Sequence, residues 1–455
     1  MSKLKVFYDH SPLFFQNFMV QVSGSIKAKQ RYGAIYAQHR AWLKEYDTWS
    51  IERQQDYQAV LLRQFLRFAS RESPFYRDFY SELDITKIRE VDDLPQLPLL
   101  EKDTLRREIE KVYTVSSRKS TQAHTGGTTG KSLVVRYTRE DEMRRMAMLD
   151  HFKSRHGFEN RKMKRATFSG KHIVPPSSTS RAFWRHNRAA NQVLYSTFHL
   201  SEENLARYVD HLNEFRPHAL DGYFTPLCDI ASFIERNAIK LKFKPVAIFP
   251  TAETLTERGR DLLERVFETK VYDQYASSEG APFVTQCFEG SMHLELSTGV
   301  FETLPGTNEI LVTSFQTHGT PLIRYRIGDS MDLEDSTHPC ACGLATPRVS
   351  KIYGRSDDYL LRSDGAKVNS VHVASLLKYM PSSMIQAQVR QENLGEITIL
   401  LVVDSKEYAT TNDQMLVEKF KQSFDPSTHI AIRHVEEIPR EKSGKQRLIK
   451  NTISF

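Results

Sequence analysis

The chain has 455 residues, of which 40% are hydrophobic and 26% are charged, so it is long enough for two or three globular domains. Its net charge is +7, but the basic residues are spread along the chain without a Lys/Arg block. This argues against a nucleic-acid partner and favours anionic nucleotides or an acidic membrane face as targets. No apolar run reaches the roughly eighteen residues of a transmembrane helix, and four cysteines are too few for a disulfide framework. We therefore expect a cytoplasmic protein with reduced thiols.

Residues 1–97 are predicted to form a mainly helical entry region. Apolar residues recur at three- and four-residue spacing over 37–49 and 50–70, and Ser50 is a suitable N-cap for the second helix. Polar residues interrupt the aromatic-rich stretch 6–22, so it reads as neither a transmembrane helix nor a signal peptide. Two interpretations of this stretch stay open: packing on its own domain, which is the commoner outcome, or peripheral contact with a membrane.

The stretch after His124 combines glycine, hydroxyl and lysine side chains. Its glycines let the backbone turn N–H groups toward an anion, and Lys131 adds positive charge. A P-loop is excluded, because Thr125 stands where its first glycine would be and a strand-like segment, 133–137, replaces the expected helix. These residues favour a phosphate-binding loop over an ordinary hairpin turn. The loop consists of Thr125, Gly126, Gly127, Thr128, Thr129, Gly130, Lys131 and Ser132.

From residue 139 to about 286, helix and strand signals alternate, which predicts an α/β domain. After Glu309 the apolar spacing shifts toward period two, as in 310–313 and 322–325, which predicts a β-rich subdomain. The helices are predicted over 139–156, 201–215, 226–237 and 256–267, and the strands over 164–169, 192–196 and 246–250.

A hydrophilic stretch at 354–358 predicts a domain boundary. We expect a large N-terminal α/β domain over 1–356 and a small mobile α+β domain over 357–455. Within the small domain, strands are predicted near 387–389 and 397–403 and a helix near 414–424. The basic segment 439–445 would by itself read as a solvated tail.

Six separated motifs occur in one order, and together they resemble the adenylate-forming superfamily of acyl-CoA ligases, luciferases and peptide-synthetase adenylation domains. Within it the chain looks most like phenylacetate-CoA ligases and their relatives encoded with capsular polysaccharide genes. The resemblance spans most of the chain from about Thr125 onward and implies an ATP-dependent, AMP-forming ligase that activates a small carboxylate. The motifs are 125–132, Thr251-Ala252-Glu253, Tyr275-Ala276-Ser277-Ser278-Glu279, Tyr325-Arg326-Ile327-Gly328-Asp329, 354–358 and 439–445.

This resemblance implies roles for the charged and polar residues. When a carboxylate attacks the α-phosphate, pyrophosphate leaves, so negative charge must be neutralised both at the α-phosphate and on the departing pyrophosphate. In the family the glycine-rich loop holds the β- and γ-phosphates, and the glutamate matched by Glu279 carries magnesium, a hard cation that prefers oxygen ligands. Alone, Glu279 would read as a helix-start glutamate. The implied nucleotide-binding residues are Thr125, Gly126, Gly127, Thr128, Thr129, Gly130, Ala252, Glu253, Tyr275, Ser278, Asp329 and Arg355.

The resemblance also implies motion. In the family the small domain rotates about an aspartate, matched here by Asp357, and the last loop delivers a lysine, matched by Lys445, to the nascent acyl phosphate. Gly126 and Ala276 depart from the usual serine or threonine and the usual glycine, but neither change removes a charge, so activity is expected. The residues with implied catalytic roles are Lys131, Glu279 and Lys445.

A second constellation consists of thiols and imidazole. The phenylacetate-CoA ligase branch often carries a Cys…His pair followed by a Cys-x-Cys, and this chain resembles it in both. Thiolate and imidazole are the ligands that zinc prefers, and four of them close a structural tetrahedron. His338 could replace His293, and small buried thiols are the alternative reading. The predicted zinc ligands are Cys287, His293, Cys340 and Cys342.

The acceptor of the acyl group stays open at this point. Phenylacetate-CoA ligases pass it to coenzyme A, whereas their capsule-associated relatives are expected to join it to an amine. The predicted acyl pocket, at 196–199 and 223–226, mixes aromatic and polar groups rather than forming a purely apolar slot. We therefore expect an amide ligase that acts on an amine or amino sugar in capsular polysaccharide biosynthesis, with acyl-CoA ligation as the alternative.

Overall fold

The computed structural model describes residues 7–124, 133–175, 178, 181–334, 339–355, 359–377, 380–381, 383–424, 427–441 and 444–453. These residues belong to two compact units. The first combines Met1–Gln21, Arg161–Val271 and Tyr353–Phe455, and the second combines Val22–Asn160 and Tyr272–Ile352.

The helices of the described ranges lie in three parts of the chain: the first 112 residues, the segment 139–267 and the C-terminal region. They are α1 (Leu13–Arg31), α2 (Ala34–Tyr46), α3 (Ile51–Glu72), α4 (Pro74–Phe79), α5 (Lys102–Val112), α6 (Arg139–Arg155), α7 (Glu202–Phe215), α8 (Phe224–Arg236), α9 (Glu257–Phe267), α10 (Ser370–Leu377) and α11 (Thr411–Ser423). Short 3₁₀ segments occur at Ile85–Lys87, Val91–Gln96, Ser117–Lys119, Arg188–Ala190 and Leu296–Thr298.

The strands form five separate sheets or hairpins. They are β1 (Thr121–His124), β2 (Val134–Tyr137), β3 (Arg165–Ser169), β4 (Trp184–Asn187), β5 (Gln192–Ser196), β6 (Ala219–Tyr223), β7 (Ala247–Thr251), β8 (Gln274–Tyr275), β9 (Val284–Gln286), β10 (Met292–Leu294), β11 (Gly299–Thr303), β12 (Glu309–Ser314), β13 (Leu322–Glu334), β14 (Arg348–Arg355), β15 (Tyr359–Leu361), β16 (Lys367–Asn369), β17 (Met384–Gln391), β18 (Glu396–Val403), β19 (His429–His434) and β20 (Ile449–Asn451).

The first unit is built on a five-stranded sheet with strand order β4-β5-β3-β6-β7. Strands β5, β3, β6 and β7 are parallel, and β4 pairs antiparallel with β5 at the edge. Their apolar side chains form one core with those of α7, α8 and α9, because parallel strands are usually buried on both faces. Gly222 lets β6 approach β3, since a Cβ at this position would lie 1.8 Å from the Phe168 carbonyl oxygen. The carboxyl ends of the parallel strands share one edge, where open α/β sheets bind ligands.

The C-terminal part of the first unit contains a four-stranded sheet, β19-β18-β17-β20, and the hairpin β15-β16. Strands β17 and β18 are antiparallel, while β20 and β19 join them in parallel. Apolar residues of this sheet pack with those of α10 and α11. The predicted small α+β region is therefore present.

The second unit contains a seven-stranded sheet, β11-β12-β13-β14-β10-β9-β8. Its core includes apolar residues of α3, α4 and α5. Thr138 caps α6, accepting from the Asp141 N–H while the Asp141 carboxylate accepts from the Thr138 N–H. The hairpin β1-β2 pairs His124 with Val134 on either side of the glycine-rich loop.

The structure confirms the α/β fold class, and helices α6 to α9 begin and end within two residues of their predicted bounds. Ser50 caps α3 as predicted, by accepting from the Arg53 N–H. Helix α1 lies in the predicted helical entry region, although its bounds were not predicted, and the edge strand β4 was not predicted. The part of the chain that the structure describes has no helix of the length and apolarity needed to cross a bilayer.

Candidate active site

Glu253 lies just beyond the carboxyl end of β7 and links two segments of the first unit. Its Oε2 accepts from the backbone N–H of Thr225 at 2.7 Å, in the first turn of α8, and its Oε1 accepts from the N–H of Gln446 at 3.0 Å. Burial raises the pKa of the Glu253 carboxyl. Ala252, which precedes it, has a φ of +68°, a conformation uncommon for a residue with a side chain. Glu253 thus fixes the residue that follows Lys445.

Lys445 itself lies near the end of β6. Its Nζ is 6.0 Å from the centroid of the Tyr223 ring. Gly444, with φ +80°, lets the backbone pass close to the sheet edge, because a Cβ there would lie 2.9 Å from the Gly170 Cα and 3.0 Å from the Thr197 Oγ1. Residues 439–441 and 444–446, which we call the lysine loop, are therefore held against the carboxyl edge of the parallel sheet rather than forming a free tail.

An ion pair that was not predicted also holds the lysine loop. Arg440 Nη2 donates to Asp229 Oδ2 on α8 at 2.5 Å, with side chains 11% and 7% exposed. Gln386 of β17 donates to Asp229 Oδ1 at 2.8 Å. Burial raises the pKa of Asp229, and the charge of Arg440 opposes that rise. An aspartate among the buried apolar residues of α8 was the only available signal.

The predicted acyl-pocket residues lie at the ends of β5 and β6. Ser196 and Thr197 are buried, and the Ser196 hydroxyl is 2.8 Å from His199 Nδ1. Phe198 stacks on His172 with ring centroids 4.0 Å apart. Burial lowers the pKa of His199, which favours the neutral imidazole. This edge combines aromatic faces with hydroxyl and imidazole groups, as the sequence predicted.

In the second unit, Tyr275 and Asp329 meet. The Tyr275 hydroxyl donates to Asp329 Oδ2 at 2.6 Å. Asp329 lies in a bulge of β13, because Glu309 pairs with Ser330 but Leu311 pairs with Arg326. A Gly-Asp pair by itself would usually be a turn, whereas here it lies inside a strand.

Glu279 lies in the loop that follows β8, and its side chain is 2% exposed. The Ser277 hydroxyl accepts from the N–H groups of Gly280 and Ala281 at 3.2 and 3.1 Å. The Tyr137 hydroxyl donates to the Ser278 carbonyl at 2.8 Å. Gly280 has φ +105°, and a Cβ there would lie 2.8 Å from the Tyr137 hydroxyl. These hydrogen bonds and close contacts therefore fix the conformation of the loop that carries Glu279.

The four predicted zinc ligands lie together in the second unit, their ligand atoms all within 4.8 Å of one another. Cys342 Sγ is 3.5 Å from His293 Nε2, and the other ring nitrogen, Nδ1, lies 3.1 Å from the Thr346 carbonyl oxygen. Although burial opposes its ionisation, hydrogen bonds led by the Cys342 N–H lower the pKa of Cys340 to about 6. Burial raises the pKa of Cys342 to about 12. The donor set and its spacing fit a tetrahedral metal.

Several predicted site residues lie outside the described residues. They are the whole loop Thr125–Ser132, including Lys131, together with Asp357 and His338; the side chain of Arg355 is also outside the described set. Their implied roles stay predictions.

Comparison with known proteins gives the family. The profile of the CapK C-terminal domain matches residues 360–452. Protein CapK of Staphylococcus aureus is 36% identical over 455 residues, which cover 99% of this chain and 100% of that protein. The chain belongs to the CapK family. A phenylacetate-coenzyme A ligase of Pseudomonas putida is 26% identical over 349 residues, covering 71% of this CapK-family chain and 75% of that enzyme.

Solved structures share the fold of this CapK-family chain. A 2-hydroxyisobutyryl-CoA ligase in the postadenylation state superposes with a TM-score of 0.72 at 15% identity, over 89% of this chain and 91% of that chain. An open conformation of the same ligase, in complex with 2-HIB-AMP and CoA, gives a TM-score of 0.57 at 15% identity, over 89% of this chain and 93% of that chain. The resemblance predicted from the motifs is confirmed: the chain is an adenylate-forming ligase of the CapK and phenylacetate-CoA ligase branch.

Proposed function

We propose that this enzyme condenses a carboxylic acid with ATP to an acyl-adenylate and pyrophosphate, and then transfers the acyl group to an amine. In the first step a carboxylate oxygen attacks the α-phosphorus and pyrophosphate leaves. In the second, the amine nitrogen attacks the acyl carbon, AMP leaves and the nitrogen loses a proton. The observation that carries the proposal is the hydrogen bond from the Gln446 N–H to Glu253, because it holds Lys445 at the edge where α/β sheets bind ligands.

The roles of individual residues are part of this proposal. Lys445 stabilises the charge that develops as pyrophosphate leaves, and the glycine-rich loop with Lys131 binds the β- and γ-phosphates. Glu279 would hold magnesium, because its carboxylate is buried and hard cations prefer oxygen ligands. Asp329 binds the ribose hydroxyls beside Tyr275. Magnesium supplies charge neutralisation at the phosphates.

A test separates adenylation from other uses of ATP. The protein is incubated with ATP, magnesium, hydroxylamine and a panel of acids, and AMP and hydroxamates are measured. Lys445→Ala is expected to slow adenylation strongly while leaving ATP binding nearly unchanged, because the lysine acts on the transition state. Formation of ADP alone would point to an ATP-hydrolysing switch, and no turnover to a silent scaffold.

We further propose that residues 357–455 form a mobile domain that rotates about Asp357, after a large domain over 1–356. The 2-hydroxyisobutyryl-CoA ligase supports this, because it was captured in postadenylation, open and thioesterification states. The match to the CapK C-terminal domain begins at residue 360. Distance measurements between labels on the two domains, with and without a non-hydrolysable acyl-adenylate analogue, are expected to give two populations.

The amine acceptor is the least constrained part of the proposal. It is supported by the polar groups of Ser196 and His199 at the predicted acyl pocket. The alternative, coenzyme A, is supported by the phenylacetate-coenzyme A ligases among the relatives. A competition experiment on preformed adenylate decides between them. Rapid discharge by coenzyme A but not by amines or amino sugars would make the enzyme an acyl-CoA ligase.

We also propose that Cys287, His293, Cys340 and Cys342 bind a structural zinc ion. The support is a donor set of three thiols and one imidazole within 4.8 Å, and metal binding would favour deprotonation of the thiols. Purified protein is expected to contain one equivalent of zinc by elemental analysis, and Cys342→Ser is expected to lose it and to lower the melting temperature. If the purified wild type contains no zinc and Cys342→Ser has the same melting temperature as the wild type, the four residues are small buried side chains without a metal.

A further inference from the structure

Helix α1 presents a stripe of exposed apolar side chains. Phe14, Phe18, Val22 and Ile26 recur every four residues and are 74%, 57%, 43% and 54% exposed. Of the ten large apolar side chains that are exposed among the described residues, six lie between Phe7 and Ile26. Spacing by four places them on one face of the helix. Folded chains rarely leave so continuous an apolar face in water without a function.

The opposite face of the same helix is fixed to the first unit, in part by buried polar side chains. The buried Arg185 donates from Nε to Gln16 Oε1 at 3.1 Å, and the His186 N–H donates to Asn17 Oδ1 at 3.2 Å. Gln16 and Arg185 are 5% and 1% exposed. These bonds set the rotation of the helix about its axis. Val20, on the same side of the helix, packs against Ile173, Val174 and Leu194. The stripe therefore points outward because polar contacts and Val20 hold the other face of α1.

The charge around the stripe is strongly biased. No Asp or Glu occurs between His10 and Lys44. Lys27 and Lys29 are exposed in the last turns of α1, and Arg31, which pairs with Glu142 at 2.7 Å, is not counted among the free charges. Helix α1 has no carboxylate of its own, and its exposed Lys29 lies on the side of the apolar stripe, so this face is complementary to a negatively charged apolar surface.

We propose that α1 docks this enzyme on an anionic phospholipid bilayer. The helix lies in the interface plane, with Phe14 and Phe18 inserted among the acyl chains and Lys29 at the headgroup phosphates. Phenylalanine suits insertion among the acyl chains because its ring is apolar and compact. The charge bias favours an anionic lipid surface over a second copy of this chain, because a second α1 has no carboxylate of its own to pair with Lys29.

The test uses the full chain and vesicles of phosphatidylcholine alone or mixed with phosphatidylglycerol, with binding measured by co-sedimentation. The wild type is expected to bind the mixed vesicles and to be released by salt. Phe14→Ser/Phe18→Ser is expected to reduce the partition coefficient at least tenfold, and Lys29→Gln to reduce it several-fold. Leu394→Ser, which removes an apolar side chain 50% exposed elsewhere, is the matched control and should bind like the wild type.

Two further measurements keep the outcome clear. Adenylation in solution and circular dichroism should be unchanged in the Phe14→Ser/Phe18→Ser variant, so that lost binding is not lost folding. Equal binding by the variant and the wild type, or no binding of the wild type to either vesicle, overturns the proposal. Light scattering that shows a dimer abolished by the same substitutions also overturns it, because a second copy would then be the occupant.

Discussion

The contact between Asp229 and Arg440 gives the sharpest test of how the lysine loop is held. The two side chains are nearly buried and 2.5 Å apart. Asp229→Asn removes the carboxylate charge but keeps an oxygen that can still accept from Gln386. The substitution therefore weakens the attachment of the loop to α8 without changing any residue of the loop.

The expected size of the effect follows from the burial of the pair. A hydrogen bond to a charged group contributes about 1.5–3 kcal/mol, and removing one partner of a fully buried pair costs about 3–5 kcal/mol. Because both side chains keep a little exposure, we expect about 2–3 kcal/mol. At about 1.36 kcal/mol per tenfold change in rate, adenylation should fall by about 30- to 160-fold if it requires the docked loop.

The assay follows the two half-reactions separately. ATP–pyrophosphate exchange reports adenylation, and AMP release from preformed acyl-adenylate reports acyl transfer, which should change little. Glu441→Gln is the matched control, because Arg447 Nε and Glu441 Oε1 are also 2.5 Å apart but the side chains are 28% and 42% exposed. An exposed pair contributes less than about 1 kcal/mol, so this variant should lose at most about fivefold.

Three results would refute this reasoning. Asp229→Asn could behave like Glu441→Gln, or it could slow both half-reactions equally together with a lower melting temperature. The third is a double-mutant cycle with Arg440→Gln in which the two losses simply add, since residues in direct contact should couple by about 0.5 kcal/mol or more.

The remaining predictions concern both units. Burial raises the pKa of Glu253 above its ordinary value of 4.5, so adenylation should decline as the pH falls through this raised pKa and the carboxylate loses its charge. In Glu253→Gln the adenylation rate should depend less on pH in this acidic range. The same pH dependence in the variant and the wild type would contradict the role of Glu253. The folded state binds this proton more tightly than the unfolded state, so the contribution of Glu253 to stability should decrease as pH rises through the raised pKa, which a urea titration at several pH values measures. Tyr275→Phe removes the 2.6 Å hydrogen bond to Asp329 and should raise the KM for ATP about two- to thirteenfold, since a net hydrogen bond is worth about 0.5–1.5 kcal/mol. An unchanged KM would argue against a ribose role. In Gly280→Ala the new Cβ would be strained by the positive φ and would lie too close to the Tyr137 hydroxyl. The substitution should therefore displace Glu279 and reduce kcat, whereas unaltered kinetics would show that the loop accommodates the methyl group.

The features of this protein that depend on local chemistry and on the order of motifs along the chain could be predicted from its amino-acid sequence. Alternating apolar periods predicted the α/β sheet, and Ser50 predicted a helix start, because caps and periodicity act over a few residues. The ordered motifs predicted the family. The Cys-x-Cys and the Cys…His pair predicted that Cys287, His293, Cys340 and Cys342 would gather, and the structure brings them together.

Contacts between polar groups that are far apart in the chain could not be predicted, because they depend on the tertiary structure. Asp229 and Arg440 are 211 residues apart, and nothing near either residue distinguishes a buried partner from a solvated charge. The orientation of helix α1 could not be predicted from the sequence either. The general rule turns the apolar face of a helix inward, yet here Gln16 is buried and Phe14 is exposed, because the surface that α1 meets offers Arg185 and the His186 N–H as donors. Burial is a property of a residue and its neighbours in space, and the sequence records only the residue.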